Sequence, residues 1–128
     1  MTIAFISHAD CALHETTSYH PDTAERLAAI HDRLIASGLE MVMHFYDAPM
    51  VTLQQLCRVH DADYVSDIFQ KLQENERVWL DADTLMVSAS LTAAQRGAGA
   101  VVKAVDLVMS QDAYTAFCCV RPPGHHAE

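Results

Sequence analysis

Two adjacent histidines, His125 and His126, sit in the segment Arg121-Pro122-Pro123-Gly124-His125-His126-Ala127-Glu128. Imidazole is the side chain that exchanges a proton near neutral pH, so a pair serving one pocket suits general-base and electrostatic roles. Side by side, two histidines make poor joint ligands of one metal. On a straight strand their side chains would point apart. Here two prolines fix φ and remove two backbone donors, and Gly124 can take φ > 0, so a rigid, sharply bent loop can turn both rings toward one pocket. The bland alternatives are two solvated loop histidines or the remnant of a purification tag. A tag is a longer run, of about six histidines, and the RPPG frame after an apolar stretch favours function.

The element that must carry this loop is residues 114–120 (YTAFCCV). It is continuously apolar rather than alternating, which suits a strand covered on both faces in a parallel sheet. In an open α/β sheet, ligands bind where loops leave the carboxyl ends of such strands. Upstream, residues 2–6 (TIAFI) read as a strand followed by a long polar loop over residues 8–19. Leu27, Ile30, Leu34 and Ile35 recur at helical spacing before a stop at Gly38. Residues 41–46 read as a second strand, and 52–59 as a short helix after Pro49. Tyr64, Val65, Ile68, Phe69 and Leu72 form a one-sided stripe with Asp61 or Asp63 as N-cap. Ala94, Ala98, Val101, Val105 and Val108 mark a longer helix. Within it Gly97 and Gly99 each give up as much as ~1 kcal/mol of helix propensity, for which close helix-to-sheet packing is the usual structural reason. The order β, α, β, α, α, β implies a layered α/β fold. No internal repeat, low-complexity tract or linker interrupts it.

The 128 residues, about half of them apolar, suit one domain with a core. A formal charge of -9, from 17 acidic and 8 basic residues, argues against a nucleic-acid surface. It favours a cationic substrate in the long-range field, although salt screens that field beyond about 10 Å. Cys11, Cys57, Cys118 and Cys119 show no CxxC spacing, so no disulfide is expected, and a reducing compartment is the simpler reading. With no basic leader and no apolar run near the ~20 residues of a membrane span, a soluble, cytoplasmic protein without membrane partners is expected.

RPPGHHAE resembles the signature of class II-type histone deacetylases, relatives of the bacterial deacetylase-like amidohydrolases and acetylpolyamine amidohydrolases. Three further segments carry the resemblance, in the family's order. His20-Pro21-Asp22-Thr23-Ala24-Glu25-Arg26 resembles its HPExPxR loop, with Asp22 for the usual Glu and Ala24 for the usual Pro. Val59-His60-Asp61-Ala62-Asp63-Tyr64-Val65 resembles VHxxxYV, and Asp81-Ala82-Asp83-Thr84 resembles DxDT. The helix with Gly97-Ala98-Gly99 precedes the signature, as in the family.

The resemblance implies a three-layer αβα, arginase/deacetylase-like fold with a mainly parallel sheet, of which residues 1–128 would be the N-terminal part of a single domain. It implies a zinc-dependent amide hydrolase acting on acetylated lysine side chains or acetylpolyamines. His126 would be the general base and then the acid that protonates the leaving amine, and His125 would orient the water and stabilise charge. Arg26 would line an internal channel for the departing acetate. Asp83 would be a rim aspartate holding the substrate backbone, a role that a one-residue alignment shift would pass to Asp81. The bland readings are a surface arginine at a helix start and a turn or N-cap acid. His20 and His60 read as hydrogen-bonded loop histidines, and Cys118 and Cys119 as core residues.

The family's Zn²⁺ ligands, an Asp-x-His pair and a later Asp, and its transition-state tyrosine all follow the histidine pair. No metal ligand is therefore expected within these residues: Asp81 with Asp83, and His8 with Asp10, fall short of the three ligands and supporting shell that catalytic zinc needs. The main alternative is a non-catalytic fragment or pseudoenzyme of the same fold, and a histidine-based metal-binding module is a weaker one. Choice of substrate and oligomeric state are left open.

Overall fold

The computed structural model describes residues 2–124; His125 and His126 lie outside the described residues. Three parallel strands form the main sheet: β1 (Ile3–Ser7), β2 (Met43–Asp47) and β5 (Thr115–Cys118), in the order β2-β1-β5. Phe5 is in register with Phe45 on one side and Phe117 on the other. A two-stranded antiparallel hairpin, β3 (Arg77–Trp79) with β4 (Leu85–Val87), stands apart from that sheet.

Helices cover both faces of β1, which is why Ala4, Phe5 and Ile6 are all buried in succession. On one face Leu27, Ile30 and Leu34 of α1 (Glu25–Ser37) pack with Phe5, Cys11 and Cys119. On the other, Ala100 and Leu107 of α4 (Ser88–Met109) pack with Ala4, Ile6 and Ala48. The result is the expected helix, sheet, helix layering. Between them in sequence come the single turn α2 (Leu53–Leu56) and α3 (Ala62–Glu74). Gly38 ends α1 at φ 72°, its N–H donating to Ile35 O. Asp61 is the N-cap of α3, its Oδ1 accepting from the N–H groups of Asp63 and Tyr64 at 2.8 and 3.3 Å. Such a cap typically contributes ~1 kcal/mol.

Four expectations change in detail. The second strand begins at Met43 because Leu39–Val42 forms a 3-10 turn after Gly38. The helix expected over 52–59 is the single turn Leu53–Leu56, closed by a capping box between Thr52 and Gln55. The β3–β4 hairpin was not anticipated, since three-residue strands are too short for a period of two to show. Most importantly, β5 is not covered on both faces among the described residues. Ala116 and Cys118 meet the α4 side, whereas Phe117 stacks beside Phe5 at 5.8 Å and is 46% exposed.

The glycines of α4 do allow close packing, but the crowded one faces a loop rather than the sheet. A Cβ on Gly99 would lie 1.9 Å from Pro49 O, where Val51 N–H also reaches back to Gln95 O. Gly97 faces Val120 and Pro122 at ordinary contact distance.

Candidate functional site

β1 and β5 are neighbours, so the loops leaving their carboxyl ends emerge together, residues 8–22 from one and Val120 onward from the other. Cys119 N–H donates to Ile6 O, and Ser7 Oγ–H to Cys119 O, each at 2.8 Å, which carries the pairing one step beyond the ladder. The sheet thus delivers Arg121 beneath the long loop that follows β1.

Arg121 is the largest fully buried side chain among the described residues, 1% exposed. Its Nε–H donates to Asp22 Oδ1 at 3.1 Å, and Nη1 to Cys11 O and His14 O at 3.1 and 2.9 Å. Nη2 donates to Asp22 O at 3.3 Å. A buried guanidinium is tolerable only when paired and hydrogen-bonded in this way, and removing one partner of a buried ion pair costs about 3–5 kcal/mol. Asp22 also lies near Arg26, whose Nε is 3.6 Å from Oδ1. Its Oδ2 is buried without a hydrogen-bond partner among the described residues, 3.9 Å from His14 Nε2. Around it, Asp22 N–H donates to His20 Nδ1 at 3.1 Å, and Thr16 Oγ1–H to Asp22 O at 2.9 Å.

His14 is buried against Ser90, with Nδ1 2.8 Å from Oγ. Burial, reinforced by the positive charge of Arg121, lowers its pKa; Asp22 opposes the shift and His20 adds to it. His14 is therefore held toward its neutral form.

Arg26, in the first turn of α1, donates from Nη2 to Val120 O at 2.7 Å while its side chain is 42% exposed. It lines an open cavity of about 740 Å³ with Tyr19, Asp22, Asp83 and Pro123. A second, about 170 Å³, shares the wall formed by Asp22, Asp83 and Pro123 and extends to His14 and Gly124. Asp83 reaches both from the tip of the β3–β4 hairpin. Asp81 holds that tip. Its Oδ1 accepts from Asp83 N–H and Thr84 N–H at 3.0 and 2.8 Å, and its Oδ2 from Thr84 Oγ1–H at 2.8 Å. These bonds, led by the one from the Asp83 backbone, hold its carboxyl at about 2.

The structure thus brings Arg26 and Asp83 to one group of cavities beside Pro122, Pro123 and Gly124, the residues leading to His125 and His126. Asp81 lines neither cavity. His20 takes its expected place as a hydrogen-bonded loop histidine, whereas His60 packs 6.0 Å from the Tyr64 ring along an apolar groove that meets the smaller cavity at Met86, Ala94 and Gly124. Cys119 is buried and Cys118 partly so, and burial pushes both thiols up. Sequence reasoning passed over Arg121, His14 and Ser90. The one available signal was an arginine directly after an apolar strand, where a solvated residue gains little. Among the described residues no three His, Cys, Asp or Glu side chains come together as a metal site, so these residues do not fit zinc.

The histone deacetylase domain profile matches residues 20–128. A probable deacetylase from Archaeoglobus fulgidus is 28% identical over 131 aligned residues, covering 100% of this chain and 36% of the relative. A histone deacetylase-like amidohydrolase from Pseudomonas aeruginosa is 33% identical over 106 residues, covering 83% of this chain and 27% of the relative. In structure, the crystallised HD domain of HDA15 superposes with a TM-score of 0.89 at 27% identity, over 98% of this chain and 36% of that one. The chain thus spans about a third or less of the length of these relatives. It has the deacetylase fold over that span, and by the match of its residues 20–128 it belongs to the histone deacetylase domain family.

Proposed function

We propose that residues 1–128 form the N-terminal part of a single deacetylase domain and carry the histidine pair of an amide hydrolase that removes acetyl groups from lysine side chains or polyamines. One observation supports this most: Asp83, Asp22 and Arg26 line cavities walled by Pro122, Pro123 and Gly124, directly before His125 and His126 in the chain. His126 takes the proton of the attacking water and returns it to the leaving amine, and His125 holds that water and stabilises developing charge. Asp83, presented by a turn that Asp81 organises, accepts hydrogen bonds from the substrate backbone at the cavity mouth. Arg26 stands at the cavity wall as the charge that passes acetate outward, one carboxylate away from the buried Arg121. A Zn²⁺, with ligands supplied from outside these residues, would polarise the amide carbonyl and acidify the water.

A net charge of -9 supports a cationic substrate class. The deciding experiment is turnover of an acetyl-lysine peptide and an acetylated polyamine by the full-length parent protein, wild type against His126→Ala. Loss of hydrolysis with metal content unchanged supports the reading; unchanged turnover of both substrates overturns it.

A further inference from the structure

Four positions before His125, Arg121 makes four side-chain hydrogen bonds among the described residues, all to the segment that follows β1, at Cys11, His14 and Asp22, and none to the sheet that delivers it. The guanidinium therefore does not brace its own strand. It fastens the backbone at the start of the histidine loop to the segment that walls the cavities. The next two residues, Pro122 and Pro123, each have φ restricted by their rings, so few soft torsions separate this anchor from the pair. Gly124 follows at φ 69°.

A second chain of contacts sets the anchor itself. Ser90 Oγ, at the start of α4, accepts the Val87 N–H at 3.0 Å and lies 2.8 Å from His14 Nδ1. His14 Nε2 faces Asp22 Oδ2, a buried oxygen with no hydrogen-bond partner among the described residues, at 3.9 Å, while Asp22 Oδ1 receives Arg121 Nε–H. Ser90, His14, Asp22 and Arg121 form one series of contacts from the end of the β3–β4 hairpin to the histidine loop.

We infer that Arg121 is the positioning residue of the His125–His126 pair, held in place by Asp22 and His14 and acting through the proline-stiffened loop. This rests on the reading of the pair as catalytic. Lysine cannot substitute: it offers a point charge where Arg121 uses three nitrogens on four acceptors in fixed directions.

The test uses the full-length parent protein with Arg121→Lys, Asp22→Asn, and Arg96→Lys as comparison. Arg96 is a second hydrogen-bonded arginine, only partly buried, bound to Asp10 Oδ2 at 3.0 Å and Ala48 O at 2.9 Å, but it does not touch the histidine loop's anchor. Since a misplacement of 1 Å can cost about 100-fold in rate, Arg121→Lys is expected to lower kcat about 10- to 100-fold with KM changed less than about threefold. The imidazole proton and nitrogen resonances of His125 and His126 should shift in the folded variant. Arg96→Lys should lower the melting temperature without moving kcat or those resonances. A folded Arg121→Lys protein with wild-type kcat and unmoved resonances overturns the inference. If Arg121→Lys does not fold, Asp22→Asn, which keeps size and removes the charge, is read by the same criteria, and wild-type values there overturn it equally. If the wild-type protein hydrolyses no amide, or His126→Ala retains full turnover, the catalytic reading fails instead, and the resonances still report on positioning.

Discussion

At the scale of single residues, the division of labour between two neighbouring aspartates is set by what each carboxylate already touches. Asp81 spends both oxygens on the hairpin tip, so its role is to hold Asp83 and Thr84 in place. Asp83→Ala should therefore raise KM for a peptide substrate, whereas Asp81→Ala should disorder the tip and raise KM through Asp83, with the single and double changes far from additive. Additive effects in that cycle would separate the two residues. The proposed role of Arg26 predicts that Arg26→Ala impairs turnover of the parent enzyme at unchanged metal content, measured by steady-state kinetics and metal analysis. Wild-type turnover on every substrate would leave Arg26 as a residue that only caps Val120 O. The histidine pair, Arg26 and Asp83 were all legible as types in motifs. Arg121, Asp22 and His14 were not legible as a network, because their partners are 107, 99 and 76 positions away in the chain and no local spacing records them.

The elements were easier to read where pattern and cap agree, as in α3, with Asp61 before a one-sided apolar stripe. They were harder to read where tertiary contact decides. YTAFCCV has the composition of a fully covered strand, yet its burial depends on what packs over Phe117, which is not written in residues 114–120. Gly99 illustrates the opposite case, a local oddity whose cause is a distant backbone. Gly99→Ala would thrust a Cβ to 1.9 Å from Pro49 O, a backbone atom that cannot swing aside as a flexible side chain would. The gain in helix propensity, ~1 kcal/mol, is outweighed by overpacking of about 1–3 kcal/mol or more. A lowered melting temperature is expected, and Gly97→Ala, whose Cβ meets Val120 at 3.8 Å, should be nearly neutral. Equal melting temperatures for the two variants would refute the close approach.

Titration acts on the same elements. The folded pKa of His14 is depressed by burial and by Arg121, so below the unfolded value of 6.5 the unfolded chain binds more protons than the folded one. Stability contributed at this site is thus complete above about pH 6.5 and falls as pH drops below it, the reverse of a histidine gaining an ion-pair partner. Asp81 adds a second window. Its carboxyl, lowered from 3.8 to about 2, keeps the hairpin tip ordered above pH 3.8 and releases it as pH falls through about 2. Amide exchange should accordingly quicken first in the segment around His14 and Asp22, and only at lower pH at Asp83 and Thr84. A hairpin tip that loosens before the His14 segment would contradict these assignments.

For the molecule as a whole, the covered and bare faces of the main sheet set what the 128 residues can do alone. α4 closes one face, while on the other α1 covers Phe5 but leaves Phe45 and Phe117, at ring distances of 5.0 and 5.8 Å from it, 51% and 46% exposed among the described residues. β5 is an edge of this sheet, and an exposed apolar edge is a template for pairing with another chain. Each Å² of apolar surface left in water forgoes ~25 cal/mol of burial. Expressed by itself, this chain is therefore expected to associate or precipitate. Its chemistry should be lost as well, because without zinc ligands among these residues the histidine pair would lack the cation that activates its water. The measurement is to purify the 128 residues metal-free, add stoichiometric Zn²⁺, and follow sedimentation, bound metal and hydrolysis of an acetyl-lysine peptide. Self-association and no turnover are expected. A monodisperse chain with zinc-dependent hydrolysis that His126→Ala abolishes would refute the placement of the ligands and require a metal site within residues 1–128.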